Sequence, residues 1–170
     1  MTDFVKKSPE NEEIIHLPDI EIKTVFGDCN LRSYIGHNLV LFFYPRDNTP
    51  GCTAQANMFT KLHNQFLDLD TQVVGVSRDS LRSHNNFTEK FGLSINLVSD
   101  ESEDLCKYFD VIKKKNMYGK TVYGIERSTF FYDRNGIMLK SWRKVVAEDN
   151  ASEMLQFSRS IKNSLKGDLQ

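Results

Sequence analysis

The sequence predicts an α/β fold in which a central mixed β-sheet is flanked by helices. Short apolar strand candidates alternate with amphipathic helix candidates along the 170 residues, a pattern typical of parallel strands joined by helical crossovers. An Asn-Gly pair between two apolar stretches adds an antiparallel hairpin near the carboxyl end. Because no repeat or Pro/Gly-rich linker divides the sequence, we expect a single domain over residues 1–170.

The strand candidates are short apolar runs bounded by turn residues. They lie at residues 20–25, 39–44, 72–77 and 95–99, and the hairpin pairs 128–132 with 137–142. The run 39–44 is apolar throughout, which indicates a strand covered on both faces. The segment 20–25 alternates apolar and polar residues, and the five residues after it, which include Cys29, predict a tight turn.

The helix candidates show apolar residues at helical spacing. They lie at 52–67, where Ala54, Met58, Leu62 and Phe66 recur at spacing four, at 81–91, at 102–109 and at the carboxyl end around Met154, Phe157, Ile161 and Leu165. Ser80 predicts the start of the second helix and Gly92 its end. Residues 113–124, which contain three consecutive lysines, are interpreted as a polar loop.

Composition excludes several classes of protein. The apolar share of 39% suffices for a core, and a net charge of −1 argues against a protein that coats nucleic acid. The longest apolar run is too short to span a bilayer and residues 1–9 contain no signal core, so we expect no membrane contact and a cytoplasmic location. The histidines show no ligand spacing and no Gly-rich phosphate motif occurs, so no metal or other cofactor is expected.

The segment 43–53 joins a buried strand to a helix and carries the candidate chemistry. Cys52 falls in the first helical turn, where unpaired N–H groups favour a thiolate. The hydroxyl of Thr49 is placed to donate to that thiolate or to a bound oxygen, and Pro45 to shield the sulfur. The alternative is that Cys52 is a small residue packed against the sheet. Three cysteines without a Cys-x-x-Cys form no disulfide scaffold.

The pattern Pro45-x-x-x-Thr49-x-x-Cys52 resembles the peroxidatic signature of peroxiredoxins. The longer string Phe-Tyr-Pro-Arg-Asp-Asn-Thr-Pro-Gly-Cys-Thr, with residues 117–120 and 123–130, resembles the bacterioferritin comigratory protein (PrxQ-like) subfamily. The resemblance implies a thioredoxin-like fold and a thiol-dependent peroxidase of hydrogen peroxide and alkyl hydroperoxides. It also implies that Cys52 becomes a sulfenic acid, that Thr49 holds the peroxide, that Pro45 shields the sulfur, and that Arg127 stabilises the developing charge.

The chain departs from this subfamily at one position. Many relatives carry a resolving cysteine five residues after the peroxidatic one, and Asn57 stands there. We therefore favour a one-cysteine cycle with an external thiol such as thioredoxin or glutaredoxin/glutathione, ahead of Cys106 and then Cys29 as the resolving residue. A monomer is expected from the resemblance. Two other hypotheses remain open: a thioredoxin-like disulfide reductase, which the absence of Cys-x-x-Cys disfavours, and a redox sensor or holdase that uses Cys52 without efficient turnover.

Overall fold

The structure, a computed structural model, describes residues 5–7 and 13–168. Its strands are β1 (Val5–Lys7), β2 (Glu13–Ile15), β3 (Glu21–Ile22), β4 (Cys29–Asn30), β5 (Asn38–Phe43), β6 (Thr71–Ser77), β7 (Asn96–Ser99), β8 (Ile112–Met117), β9 (Lys120–Ile125), β10 (Ser128–Tyr132) and β11 (Met138–Trp142). Its helices are α1 (Pro50–Asp68), α2 (Leu81–Phe91), α3 (Asp104–Tyr108) and α4 (Asn150–Asp168), with a 3-10 helix at Leu31–Tyr34.

The central sheet has the strand order β11-β10-β5-β6-β7. Strands β5, β6 and β7 are parallel, and β10 runs antiparallel to both β5 and β11. The sequence-based prediction of a mixed sheet flanked by helices is therefore confirmed. No helix among the described residues is both long and apolar enough to cross a membrane.

The side chains of the buried strand β5 alternate between two separate cores. Leu41 and Phe43 point to one face, where they pack in a cluster with Cys106 of α3, which we call the α3 face. Val40 and Phe42 point to the opposite face, where they pack in a cluster with residues of α1, α2 and α4, which we call the α1 face. This alternation follows from the two-residue period of a strand, and it explains why the whole run is apolar.

Helix α2 begins and ends where its sequence predicts. The Ser80 hydroxyl accepts a hydrogen bond from the backbone N–H of Ser83, which satisfies one free donor of the first turn. Gly92 ends the helix at a φ of 61°, a left-handed conformation that a residue without Cβ adopts at little cost.

Two local predictions were wrong. Residues 113–124 form the antiparallel hairpin β8–β9 instead of a loop, with Tyr118 and Gly119 at positive φ in its tight turn. Cys29 lies in β4, half-buried and paired with Ile22, instead of in a tight turn. The predicted stripe of α1 does pack against the core, with Phe66 completely buried and Met58 and Leu62 partly buried. Cys52 and Phe59 also belong to the buried side, because a spacing of four residues drifts around a helix with 3.6 residues per turn.

Candidate active site

The candidate site lies at the junction between β5 and α1, at the carboxyl end of the parallel strands. Thr49 is the N-terminal cap residue of α1, with extended backbone angles, and Pro50 and Gly51 occupy its first turn. Pro is suited to this position because its missing N–H would find no helical partner there. Cys52 follows as the third helical residue, and its side chain is buried on the α1 face with only 2% of its surface exposed.

Arg127 provides the charged partner of the Cys52 sulfur. The residue immediately precedes β10, and its Nη2 donates to Cys52 Sγ over 3.4 Å. Gly51 makes room for this approach, since a Cβ at that position would lie 3.3 Å from Nη2. The contact places the permanent positive charge of the guanidinium directly beside the sulfur.

A buried polar network holds Arg127 in place. Its second terminal nitrogen, Nη1, donates to Gln55 Oε1, and Gln55 Nε2 donates to Asn150 Oδ1 over 2.9 Å. Thr129 Oγ1 donates to the same Asn150 oxygen, also over 2.9 Å. Gln55, Thr129 and Asn150 are completely buried. No sequence pattern predicted these residues, apart from the signal of one polar residue, Gln55, on the buried face of α1.

Thr49 and Pro45 lie on the loop that precedes Cys52. The Thr49 hydroxyl donates to the backbone carbonyl of Arg46 over 2.9 Å, so it is oriented by its own loop. Pro45 is solvent-exposed, and both residues line a groove between this loop and the β8–β9 hairpin. The structure thus brings Cys52 and Arg127 into contact, and it places Thr49 and Pro45 on the wall of the groove, on the loop that leads to Cys52.

A second buried network fixes this loop to α2. Asp47, which is 7% exposed, accepts hydrogen bonds from Tyr44 Oη over 2.7 Å and from Ser83 Oγ over 2.8 Å, and its Oδ2 pairs with His84 Nδ1 at 2.7 Å. The Asp47 N–H donates to Asp79 Oδ2 over 2.9 Å. Asp47 therefore anchors the loop that carries Thr49 and Pro45. Its side chain bonds to residues of α2 and its backbone N–H bonds to Asp79.

Within the described part of the chain, potential metal-ligating atoms converge in one group of residues, which consists of Asp47, Asp79 and His84. Both ring nitrogens of His84 already have partners, however, since Nε2 contacts the Val98 carbonyl at 2.8 Å while Nδ1 contacts Asp47. The hydrogen bonds of this cluster account for its geometry.

The other two cysteines lie away from Cys52. All three thiols are free, and Cys106 and Cys29 pack in the cluster of the α3 face, on the opposite side of the sheet from Cys52. Burial and the neighbouring Asp100 carboxylate raise the pKa of the Cys106 thiol well above its usual range. Asn57 is exposed on α1.

Comparison with known proteins assigns the chain to a family. The family model described as "AhpC/TSA family" matches residues 15–141. The chain belongs to the AhpC/TSA family. Two curated relatives named peroxiredoxin Bcp support this: the Xanthomonas campestris protein is 50% identical over 125 residues (74% of this chain, 78% of the relative). The Bacillus subtilis protein is 45% identical over 140 residues (82% of this chain, 89% of the relative).

Solved structures agree with this assignment. A structure of the X. campestris bacterioferritin comigratory protein superposes with a TM-score of 0.80 and 44% identity, covering 85% of this chain and 95% of that one. As a member of the AhpC/TSA family the chain is a peroxiredoxin with a thioredoxin-like fold. It is therefore a thiol-dependent peroxidase, with a peroxide as substrate and a thiol as reductant.

Proposed function

We propose that Cys52 is the peroxidatic cysteine and that it reduces hydrogen peroxide and alkyl hydroperoxides. The observation that carries this proposal is the 3.4 Å contact between Arg127 Nη2 and Cys52 Sγ at the start of α1. One solved structure of the X. campestris relative concerns its alkyl peroxide reduction activity, which supports the choice of substrate class.

The first half of the cycle is a displacement on oxygen. The Cys52 thiolate attacks the terminal oxygen of the hydroperoxide, a sulfur–oxygen bond forms and the O–O bond breaks. The leaving alkoxide or hydroxide takes up one proton and departs as alcohol or water, and Cys52 is left as a sulfenic acid. Arg127 stabilises the negative charge that develops on the leaving oxygen, while Thr49 holds the peroxide and Pro45 shields the sulfur.

The second half of the cycle uses an external thiol. Asn57 replaces the helical resolving cysteine of many relatives, and Cys106 and Cys29 pack on the α3 face while Cys52 packs on the α1 face. Burial and Asp100 raise the pKa of Cys106, which disfavours its nucleophilic thiolate. The reductant would be thioredoxin, glutaredoxin or glutathione, acting on a single-domain, monomeric protein in the cytoplasm.

Replacement of Cys52 tests the assignment of the nucleophile. We expect Cys52→Ser to abolish peroxide consumption, because a serine hydroxyl stays protonated at neutral pH and forms no sulfenic acid. Cys29→Ser and Cys106→Ser serve as matched controls and should retain single-turnover reduction of hydrogen peroxide. Stopped-flow measurement of peroxide consumption checks this, and residual turnover in Cys52→Ser would refute the assignment.

The one-cysteine cycle is tested by the product of a single turnover. After one equivalent of hydrogen peroxide, mass spectrometry should find one added oxygen on Cys52, trapped by a dimedone-type reagent. Because the sheet separates Cys52 from the other thiols, no intramolecular disulfide is expected. A Cys52–Cys106 or Cys52–Cys29 disulfide as the main product would contradict the cycle and identify the resolving residue.

A further inference from the structure

The groove beside the active-site loop is lined by cations and apolar side chains. It has a volume of about 400 Å³ and is lined by Pro45, Arg46, Thr49, Arg78, Lys115, Met117, Val122, Tyr123, Gly124 and Ile125. Three of these residues are cationic, and none of the lining residues, all within the described part of the chain, carries a carboxylate. The groove is therefore a site of positive potential in a chain whose net charge is −1.

One wall of this groove is formed by the loop that precedes Cys52. Pro45 and Thr49 lie on the loop that leads into α1 and Cys52. The opposite wall is the β8–β9 hairpin, which Arg78 ties to the end of β6 by a 3.0 Å hydrogen bond from Nη2 to the Tyr123 carbonyl. A molecule bound in the groove therefore lies against the loop that leads to Cys52.

The one-cysteine cycle proposed above, on which this inference rests, requires a thiol to reach that sulfur. A thiolate attacks the Cys52 sulfenic acid, a mixed disulfide forms, and the hydroxyl leaves as water after taking up one proton. A second thiolate attacks the outer sulfur of the mixed disulfide and releases the Cys52 thiolate and a disulfide of the reductant. Because Cys52 is only 2% exposed, a small thiol reaches it with less opening of α1 than a folded protein needs.

We propose that the groove binds the reducing thiol and that this thiol is a small molecule carrying carboxylate groups. Arg46, Arg78 and Lys115 complement such an anion. Met117 and Val122, which are 51% and 37% exposed, offer apolar contact for its carbon chain. Hydrogen peroxide and simple alkyl hydroperoxides carry no charge, so the three cations of the groove complement a carboxylate-bearing thiol of the second half of the cycle better than a peroxide.

Thiols of similar size and different charge test the proposal. The protein is first oxidised with one equivalent of hydrogen peroxide, and the sulfenic acid is then reduced by 3-mercaptopropionate, 2-mercaptoethanol or cysteamine, which are anionic, neutral and cationic. Rates are divided by the thiolate concentration of each reagent. We expect the double variant Arg46→Gln/Lys115→Gln to lower the anion-to-neutral rate ratio about fivefold, the combined effect of two exposed ionic contacts. Added salt should lower the same ratio in the unmodified protein.

Lys114 provides a matched control. It is the strand neighbour of Lys115, it is exposed, and it does not line the groove. Lys114→Gln removes the same charge from the same hairpin and should leave the rate ratio unchanged. An equal fall in both variants, or no fall in the double variant, would overturn the proposal. It would also be overturned if the double variant slowed only the oxidation of Cys52 by a carboxylate-bearing hydroperoxide, because the groove would then bind the peroxide.

A binding measurement separates this inference from the proposed function. S-methylglutathione carries two carboxylates and no thiol, so its binding requires no reaction at Cys52. We expect it to bind the Cys52→Ser protein in calorimetric titration and to bind about fivefold more weakly after Arg46→Gln/Lys115→Gln is added. If no sulfenic acid forms on Cys52, the proposed catalytic cycle fails, but this titration still tests whether the groove binds a carboxylate-bearing molecule. Absence of binding, or binding unaffected by the double variant, would overturn the inference.

Discussion

Arg127 uses its two terminal nitrogens on two different partners. One contacts the Cys52 sulfur and the other the amide oxygen of Gln55, which is itself bound to Asn150. A lysine offers a single ammonium on a flexible stem and cannot reproduce this fork. The charge beside the sulfur is therefore preorganised by buried amide groups from α1 and α4, as the role proposed for Arg127 requires.

Replacement of Gly51 by alanine tests this arrangement without changing a polar group. In Gly51→Ala the added Cβ would lie 3.3 Å from Arg127 Nη2, a tight contact that moves the guanidinium away from the sulfur. We expect the rate of peroxide reduction to fall about threefold to tenfold, because part of the stabilising interaction is lost. The melting temperature should not fall, since alanine is favoured over glycine in a helix by about 1 kcal/mol. Stopped-flow oxidation and thermal unfolding measure the two effects.

A double-mutant cycle provides the control for Gly51. In an Arg127→Ala protein the guanidinium is absent, so Gly51→Ala should cause no further loss of rate. If Gly51→Ala slows the reaction equally with and without Arg127, the effect does not pass through the guanidinium, and the proposed steric role of Gly51 is wrong.

At the scale of elements, one buried carboxylate joins the active-site loop to α2. Asp47 accepts hydrogen bonds from Tyr44 and Ser83 and pairs with the fully buried His84. Asp47→Ala leaves these groups without their acceptor inside the protein. We expect the free energy of unfolding to fall by about 3 kcal/mol, as is typical when one partner of a buried pair is removed. The peroxidase rate should fall as well, because Thr49 and Pro45 lie on the released loop.

An exposed ion pair provides the comparison for Asp47. Asp110 and Lys113 pair at 3.0 Å with the Asp110 side chain 78% exposed, and the lysine lowers the pKa of that carboxyl. Asp110 lies at a φ of 53°, which asparagine tolerates better than alanine, so the control is Asp110→Asn. It removes the same negative charge as Asp47→Ala, yet solvent screening should leave the stability almost unchanged. Urea unfolding of the two variants checks both values. A similar small change in both would show that the Asp47 network does not stabilise the fold.

The sequence predicted those elements that bury an apolar face and missed the hairpin that does not. Strand β5 and helix α2 follow clear hydrophobic patterns and appear where expected. The β8–β9 hairpin exposes most of its side chains, including Lys114 and Tyr123, so its formation depends on backbone hydrogen bonds and a Tyr118-Gly119 turn. Apolar periodicity carries no signal for such an element.

The candidate site, like the fold, was predicted from the sequence only in part. The position of Cys52 at a strand–helix junction follows from local patterns, and Arg127 was found through the family resemblance. The contact between Gln55 and Asn150 joins residues 95 positions apart. Such pairing of buried polar side chains depends on how α1 and α4 pack together, which hydrophobic periodicity in either segment does not specify.

At the scale of the whole molecule, the central sheet keeps Cys106 and Cys52 in different environments. Cys52 lies at a helix start beside a guanidinium, whereas Cys106 lies in the core of the α3 face with Asp100 as neighbour. The Asp100 carboxylate accepts hydrogen bonds from the backbone N–H groups of Leu105 and Cys106 and thereby holds α3 in place. The low dielectric of the core and this negative charge both oppose ionisation of the Cys106 thiol.

Because the folded protein opposes ionisation of the Cys106 thiol, its free energy of unfolding should fall at alkaline pH. The folded pKa of Cys106 is raised by burial and by Asp100, while the unfolded chain has the ordinary thiol value of about 8.5. The stabilising effect of a protonated thiol is therefore complete below about pH 8.5 and is lost as pH rises, because unfolding then releases a proton. The expected loss from this group is about 1.4 kcal/mol of unfolding free energy per pH unit. Burial also raises the pKa of Tyr132, which adds a further loss above about pH 10.

Urea unfolding between about pH 8 and pH 10 isolates the thiol contribution, because the tyrosines of the unfolded chain remain largely protonated over most of this range. Cys106→Ala should be less stable than the unmodified protein at pH 8, since it leaves a small cavity in the core of the α3 face. Its stability should nevertheless decline less steeply with pH, by about 1.4 kcal/mol per unit above pH 9, because the titrating group is gone. Parallel curves for the two proteins would show that Cys106 ionises equally easily in the folded and unfolded chains. The core of the α3 face would then not suppress its thiolate, and the argument that Cys106 is too poor a nucleophile to resolve Cys52 would lose its electrostatic basis.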